Sequence, residues 1–143
     1  MFKSIIKPPI FCYSITSQTL ATTVSATPQI NVSNDSDFIL THILGIVETD
    51  GIPDASVTLT LSLASGELFS NVALDILAFS KVIIDVAGAQ HVNGTPIVLR
   101  QPVRIPANSQ INVQLTNNTA DNVVVQIQLW GYKIDADERF FNV

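Results

Sequence analysis

The feature that most restricts the fold of this chain is the strict alternation of apolar and polar residues in short runs. The clearest run is 57–63, Val-Thr-Leu-Thr-Leu-Ser-Leu, in which every second side chain is aliphatic and the others carry hydroxyl groups. Successive side chains of a β-strand point to opposite faces, so this run predicts a strand with one buried face and one solvated face. An amphipathic helix would need apolar residues three or four positions apart.

Further runs of this kind follow one another between residues 37 and 134. They are rich in β-branched residues and are separated by turns that contain Gly, Pro, Asn or Asp. The runs are 38–47, 57–63, 96–100, 110–116 and 123–134. Short strands at regular intervals predict an all-β fold, and we expect an antiparallel β-sandwich of jelly-roll-like type.

The last two runs, 110–116 and 123–134, are separated only by the Asn-rich segment 117–122. Two adjacent alternating runs with a short turn-forming link predict a β-hairpin, which we expect to be the most secure element of the fold. Trp130 lies near the end of the second run, and we expect it to pack in the core. We expect Tyr132 to lie at an edge or an interface.

The segment 68–86 does not choose clearly between helix and strand. Its apolar residues Val72, Ile76, Phe79 and Ile83 fit helical spacing, whereas the β-branched run that begins at Lys81 favours a strand. We expect pieces of strand here and leave open a short helix within 72–79.

The two ends differ from this pattern. Residues 1–36 are rich in Ser, Thr and Pro and show no sustained periodicity, so we predict an extended N-terminal arm, a sandwich domain at 37–134 and a C-terminal tail at 135–143. Residues 28–32 are a candidate for an additional strand. Apolar side chains outside a core are costly in water, so we expect interfaces at Ile5, Ile6, Ile10, Phe11, Tyr13, Tyr132, Phe140 and Phe141.

The composition favours assembly with other proteins. Charged residues make up 13% of the chain, about half of the roughly 25% typical of soluble domains, and uncharged polar residues replace them. Such a surface costs less to desolvate than a charged one. The net charge is −5 and the basic residues are scattered, so we expect no nucleic-acid partner. Without an apolar run of 18 residues, we expect a soluble protein and no membrane partner.

The residues that could carry chemistry are few. Cys12 is the only cysteine, which excludes an internal disulfide and a cysteine-based zinc site. His42 and His91 are the only histidines, and neither lies in a nucleophile motif. His42 would point outward beside Thr41 or be buried with a hydrogen-bond partner, and His91 is expected in a loop. We therefore predict a protein that is not an enzyme, with no catalytic residue and no cofactor.

The segment 48–54, Glu-Thr-Asp-Gly-Ile-Pro-Asp, brings three carboxylates together. Carboxylates bind calcium, but this segment lacks the ligand spacing of an EF-hand loop. We predict a solvated turn and no metal site.

The end of the sequence resembles small β-sandwich proteins of tailed-bacteriophage virions, and the likeness extends more weakly back to Phe38. The residues that carry it are Leu99-Arg-Gln-Pro102, Ile105-Pro-Ala-Asn-Ser109, Asn112-Val-Gln-Leu-Thr-Asn117 and Gln126-Ile-Gln-Leu-Trp-Gly-Tyr-Lys-Ile134. The resemblance implies a sandwich that decorates the head shell or lies at the head-to-tail connection or the tail.

From these features we expect a virion structural protein, most specifically a capsid decoration or cement protein that bridges neighbouring subunits of the major capsid protein. It would be made in the host cytoplasm and act as a homo-oligomer, with a trimer as the expected state. One alternative is a collar, connector or tail-associated subunit. Another is a carbohydrate-binding module that uses Trp130, Tyr132 or the segment around His91.

Overall fold

The computed structural model describes residues 10–68, 72–85 and 90–135, which form thirteen β-strands and one 3-10 turn at Ile76–Ala78. The strands are β1 (Ile10–Ser14), β2 (Gln18–Leu20), β3 (Ser25–Ala26), β4 (Gln29–Asn31), β5 (Ser36–Thr49), β6 (Val57–Leu63), β7 (Gly66–Glu67), β8 (Leu74–Asp75), β9 (Ser80–Ile84), β10 (Gln90–Val92), β11 (Ile97–Ile105), β12 (Gln110–Asn117) and β13 (Val123–Asp135).

Seven strands form the larger sheet, with the two longest, β5 and β13, paired antiparallel at its centre. The edge of β13 that faces away from β5 pairs with β1 and β2. The edge of β5 that faces away from β13 pairs with β11 in antiparallel and with β9 in parallel orientation. β10 pairs with the other edge of β9 and extends the sheet.

The smaller sheet has six strands around the pair β12 and β6. The short strands β3 and β4 follow one another along the outer edge of β12. On the other side, β7 and β8 pair with β6.

The core lies between the two sheets and confirms the all-β sandwich predicted from the alternation. The run 57–63 buries Val57, Leu59 and Leu61, while Thr58 and Thr60 point outward. Facing them are buried residues of the larger sheet, which include Phe38, Leu40, Ile43, Val47, Val125, Ile127 and Leu129. Each such side chain contributes roughly 1.5–3 kcal/mol when it leaves water.

The predicted hairpin of residues 110–134 is wrong, because β12 and β13 belong to different sheets. The loop between them crosses from one sheet to the other instead of reversing the chain within one sheet. Both strands bury their alternating apolar residues in the same core from opposite sides. Alternation shows which face of a strand is buried, but it does not identify the neighbouring strand.

The crossing between the sheets is organised by Asn117, which is fully buried. Its Nδ2 donates to the carbonyl oxygens of Leu20, Ala21 and Asp121 at 2.8–3.2 Å. Its Oδ1 accepts hydrogen bonds from the backbone N–H and the hydroxyl of Thr119. A buried amide costs little when its polar atoms have partners, so this side chain fixes the loop against the segment after β2.

The extended arm predicted for residues 1–36 is, over residues 10–36, part of the sandwich itself. Two of its strands join each sheet, and four of its side chains lie in the core. These side chains are Ile15, Leu20, Ile30 and Val32. Strands of two to five residues are too short to show periodicity in the sequence, and they form here because the edges of β12 and β13 provide hydrogen-bond partners.

The ambiguous segment forms strand pieces, β8 and β9, with the 3-10 turn between them as its short helix. The run 96–100 predicts a strand that ends before Pro102, but β11 continues through this proline to Ile105. The register of β11 against β5 shifts between Val98 and Val103, so the proline falls where the ladder requires no N–H donor.

Candidate functional site

The outer face of the larger sheet carries a cluster of apolar side chains. Residues paired directly across strands share a face, so the pairings define rows. One row contains Ile10, Tyr132 and Ile39, and the next contains Cys12, Trp130, His42 and Val98. Leu44, Ile46 and Val124 follow on the same face, where they pair with the polar residues Gln128, Gln126 and Glu48. Ile10 and Val98 are 78% and 65% exposed, which is unusual for large apolar residues within strands.

The outer face of the smaller sheet is polar and uncharged along its central strands. Thr58, Thr60 and Ser62 of β6 lie beside Asn112, Gln114 and Thr116 of β12. Several of these groups bond to edge strands: the hydroxyls of Ser25 and Thr116 are 2.8 Å apart, and Gln29 Nε2 donates to Asn112 Oδ1 at 2.9 Å. The two faces of one sandwich therefore differ in chemistry.

The apolar face contains a groove of about 380 Å³, which we call the apolar groove. It is lined by Ile10, Thr41, His42, Leu44, Pro96, Trp130, Gly131 and Tyr132. Its volume lies near the lower end of the roughly 300–1,000 Å³ typical of binding pockets. The side chains of its walls are mainly aliphatic and aromatic, so it suits an apolar side chain better than a polar ligand.

A β-bulge shapes this groove. The register between β13 and β5 shifts between Trp130 and Gly131, and Thr41 is the unpaired residue on β5. The backbones approach so closely here that a Cβ at position 131 would overlap the carbonyl oxygen of Ile39. Glycine is therefore required at this position, and the extra residue on β5 lets His42 and Ile39 lie beside Trp130 and Tyr132 although they are three positions apart.

The hydroxyl of Thr41 provides a hydrogen bond to β13 where the backbone pairing is interrupted, and it also contacts the ring of His42. Its Oγ1 donates to the carbonyl oxygen of Trp130 at 3.1 Å and lies 2.7 Å from Nδ1 of His42. Because the single hydroxyl proton is used by the carbonyl, Nδ1–H of His42 is the donor in the second bond. The Nε2 edge of the exposed ring is then available at the groove. Of the two alternatives for His42, the structure has the outward one.

The predicted interface residues divide into three groups. Ile10 and Tyr132 both line the apolar groove. Phe11 and Tyr13 are half-buried and face the interior, where the ring of Tyr13 packs edge-on against those of Phe11 and Phe38 with centroids 4.8 and 4.9 Å away. The remaining predicted interface residues lie outside the described residues, and these are Ile5, Ile6, Phe140 and Phe141.

Lys133 closes the end of the interior near these rings. Its Nζ lies 4.0 Å from the ring centroid of Phe11 and donates to Ser33 Oγ at 3.3 Å. Ser33 also bonds to the hydroxyl of Tyr13. The contacts of Phe11 and Tyr13 therefore stabilise the attachment of β1 rather than present a surface to a partner.

The predictions for Trp130 and His91 need correction. Trp130 does not pack in the core; it is half-buried on the outer face, where Nε1 donates to Gln128 Oε1 at 3.1 Å. The signal was present in the sequence, because Leu129 points inward and its neighbour on a strand must point outward. His91 does not lie in a loop but in β10, where it pairs with Ile83.

The acidic and thiol side chains of the described residues do not form a metal centre. No three His, Cys, Asp or Glu side chains of this part of the chain gather where they could hold a metal ion. Asp54 of the acidic segment accepts the N–H of Ala120 at 3.0 Å and so serves the loop structure. Burial raises the pKa of the Cys12 thiol, which makes it a weaker nucleophile at neutral pH.

The buried carboxylate of Asp37 is not part of the apolar groove. Asp37 is 1% exposed and accepts hydrogen bonds from Arg104 Nε and the backbone N–H of Ala107, both at 2.8 Å. This pair ties the start of β5 to β11 and to the turn that follows it.

Within the described residues there is no helix with the length and apolar character needed to cross a membrane. Comparison with protein-family models and with curated proteins finds no match for this chain.

Proposed function

We propose that this protein acts by binding other proteins through the outer face of its seven-stranded sheet, as a structural component of a virus particle. Its most specific form is a capsid decoration or cement protein that bridges neighbouring capsid subunits. The observation that carries the proposal is the contrast between the two outer faces, since one has a patch of apolar and aromatic side chains with a groove while the other is polar and internally hydrogen-bonded along its central strands.

An exposed apolar face is costly for an isolated domain and favourable in an assembly. Ile10, Val98 and the half-buried Leu44, Trp130 and Tyr132 lie close together on this face, and a partner that covers them gains the free energy of removing them from water. Aromatic side chains at the centre of such a patch are typical of the residues that dominate protein interfaces.

The groove favours binding over catalysis. Its polar side chains are those of Thr41 and His42, which bond to each other, and Tyr132. A hydrolytic or transfer site needs a nucleophile, a base and a group that stabilises developing charge in one place. The weakly charged surface and the scattered basic residues likewise suit contacts with protein more than with nucleic acid.

The assignment to a virion rests on the resemblance of residues 99–134 to small sandwich proteins of tailed-bacteriophage particles. In the structure this stretch supplies β12, β13 and most of β11, so the similar residues include the central strand of each sheet and both aromatic walls of the groove. Copies repeated around a symmetric shell would multiply a modest contact into strong attachment.

The test of docking compares one charge on each outer face. Ile46→Lys places a charge on the apolar face, and Thr60→Lys places the same charge at a half-buried position on the polar face. We expect Ile46→Lys to weaken attachment to particles assembled without this protein by at least about tenfold, because a charge would be desolvated at the contact. Thr60→Lys should bind as the unmodified protein does. Equal loss for both variants would contradict the proposal.

The virion assignment is tested on particles. The protein should be found in purified virions, and particles that lack it should lose their contents at a lower temperature. A copy number near that of the major capsid protein would identify decoration, whereas a small fixed number would identify the collar, connector or tail. Absence from purified virions together with unchanged particle stability would overturn the assignment.

A carbohydrate-binding function is the second candidate, because Trp130 and Tyr132 lie together at the groove on the outer face. Aromatic rings stack on sugars, but specific sugar sites also need several convergent polar groups. This candidate predicts binding on a glycan array that is lost in Trp130→Ala. A silent array with the wild-type fold would remove it.

A further inference from the structure

The apolar groove includes the first residue that the structure describes. Ile10, the first described residue, lines the groove and is 78% exposed. β1 pairs with β13 from Ile10 onward, with Ile10 beside Tyr132. Any segment that precedes Ile10 therefore starts at the rim of the groove.

Residues 1–9, Met-Phe-Lys-Ser-Ile-Ile-Lys-Pro-Pro, have the composition of a ligand for such a groove. They include the adjacent aliphatic residues Ile5 and Ile6, which suit walls built from Leu44, Pro96 and Trp130. Their basic residues, Lys3 and Lys7, are not accompanied by an acidic one. Residues 10–135 carry four basic and ten acidic residues, so the segment and the body have net charges of opposite sign.

The sequence next to Ile10 opposes insertion into the groove of the same molecule. Ile10 is itself a wall of that groove, so Ile5 and Ile6 would have to reverse direction within residues 7–9. Pro8 and Pro9 fix φ near −65°, and each proline keeps the residue before it extended. Two consecutive prolines therefore disfavour the tight reversal that binding in the same groove would require.

We propose that the apolar groove of one copy binds residues 1–9 of a second copy, with Ile5 and Ile6 against Trp130 and Leu44. The assignment deepens the proposed function, on which it rests, by naming a second copy as the partner at this end of the apolar face. Each molecule contributes one segment and one groove, and such a head-to-tail contact closes into a ring when the rotation between copies permits. Two copies that exchange their segments reciprocally form the smallest closed assembly of this kind, and a trimer is the next.

The tail at 136–143 is the competing occupant, since it contains Phe140 and Phe141. It follows the end of β13 and carries the acidic residues Asp137 and Glu138 and the basic residue Arg139, so its side chains have a net charge of −1. The predominance of acidic residues in the body disfavours this tail and favours residues 1–9. The experiment separates the two.

The first measurement is the oligomeric state of the full chain in sedimentation velocity. Ile5→Asp/Ile6→Asp changes two residues outside every described strand, so the fold should be retained, and circular dichroism checks this. We expect the unmodified protein to form oligomers. The double variant should remain monomeric up to a protein concentration at least about tenfold higher than the concentration at which the unmodified protein assembles. Phe140→Asp/Phe141→Asp is the matched control and should leave the oligomer intact.

The second measurement uses Trp130, the single tryptophan of the chain, as a reporter within the groove. A synthetic peptide of residues 1–9 is titrated into the full-length Ile5→Asp/Ile6→Asp protein. We expect a saturable blue shift of the Trp130 emission, and at least about tenfold weaker binding of a peptide that carries the same two substitutions. A peptide of residues 136–143 should produce no shift.

Three outcomes would overturn the inference: a monomeric unmodified protein, an unchanged emission with the peptide of residues 1–9, or saturable binding of the tail peptide instead. None of them concerns attachment to particles, which the Ile46→Lys and Thr60→Lys pair measures. A monomer that still binds particles through the apolar face would therefore remove this inference and leave the proposed function standing.

Discussion

The two outer faces of the sandwich follow from the same alternation and yet have opposite character. On β6, the positions between buried aliphatic residues are Thr58, Thr60 and Ser62. On β5 and β13, the corresponding positions include Leu44, Ile46 and Trp130. The inward residues are constrained by packing in both sheets, whereas the outward residues are free to be polar. The apolar residues at outward positions are therefore the feature on which the proposed binding surface rests.

The faces also differ in how their backbone is shaped. The apolar face contains the bulge at Trp130 and Gly131, and this irregularity opens a groove in it. The paired residues of β6 and β12 continue in unbroken register from Asn112 to Asn117. Bulges in sheets often accompany sites that re-aim a side chain, which agrees with a binding role for the irregular face alone.

The largest expected effect comes from a substitution that the backbone at the bulge cannot accommodate. Gly131→Ala should lower the free energy of unfolding by about 3 kcal/mol, because the added Cβ meets the carbonyl oxygen of Ile39 in a buried strand. Chemical denaturation measures the change. Gly66→Ala is the control, since Gly66 has φ +134° but no atom near an added Cβ, and its cost should be about 1 kcal/mol. Similar costs at the two positions would contradict a steric role for Gly131.

The connection between the two sheets can be tested at Asn117. Asn117→Ala should lower the free energy of unfolding by about 2 kcal/mol, because backbone carbonyls of the crossing lose a buried donor. The neighbouring Asn118 is exposed, and Asn118→Ala should change the free energy of unfolding by less than about 0.5 kcal/mol. If both substitutions cost the same, the buried amide does not hold the crossing.

Exchanging an apolar and a polar side chain between the two outer faces tests the same difference with a smaller effect on stability. Leu44→Thr and Thr60→Leu each alter a half-buried outward position, so each should change the free energy of unfolding by less than about 1 kcal/mol. Binding of a hydrophobic fluorescent dye should fall for Leu44→Thr and rise for Thr60→Leu. Dye binding that follows loss of stability in both variants would indicate unfolding instead of a change of surface.

The smallest expected effect concerns Cys12, which lies in the same row as Trp130. Burial raises the pKa of this thiol, so at pH 8 the folded protein has less thiolate than the unfolded chain and should react more slowly with iodoacetamide. A raised pKa means that folding favours the protonated thiol. The associated stability is present at neutral pH and is lost as the pH rises through the folded pKa. Labelling at equal rates in the folded and denatured protein would contradict this.

The sequence predicts the class of fold and the buried face of each long strand, because side-chain direction follows directly from alternation. It does not predict that β12 and β13 belong to different sheets, because strand pairing is decided by packing across the whole core. It also misses β1–β3, whose two to five residues form strands only through the edges that they meet.

The candidate site was partly accessible from the sequence. Ile10 and Tyr132 were predicted at an interface and line the groove, whereas Trp130 was predicted in the core. Counting positions from Leu129 would have placed Trp130 outward. The groove itself depends on the bulge that Gly131 permits, and a glycine in a strand indicates such a bulge without locating its partner.

The central position of β13 also has a consequence for the order in which the molecule assembles. β13 lies between β5 and the pair β1 and β2, so the N-terminal strands have no hydrogen-bonded neighbour in the sheet until residues 123–135 have emerged from the ribosome. Contacts between such distant parts of a chain form slowly, and unpaired strands exposed meanwhile are prone to aggregate. The period before residues 123–135 emerge is therefore the stage of synthesis at which β1 and β2 are most exposed to aggregation.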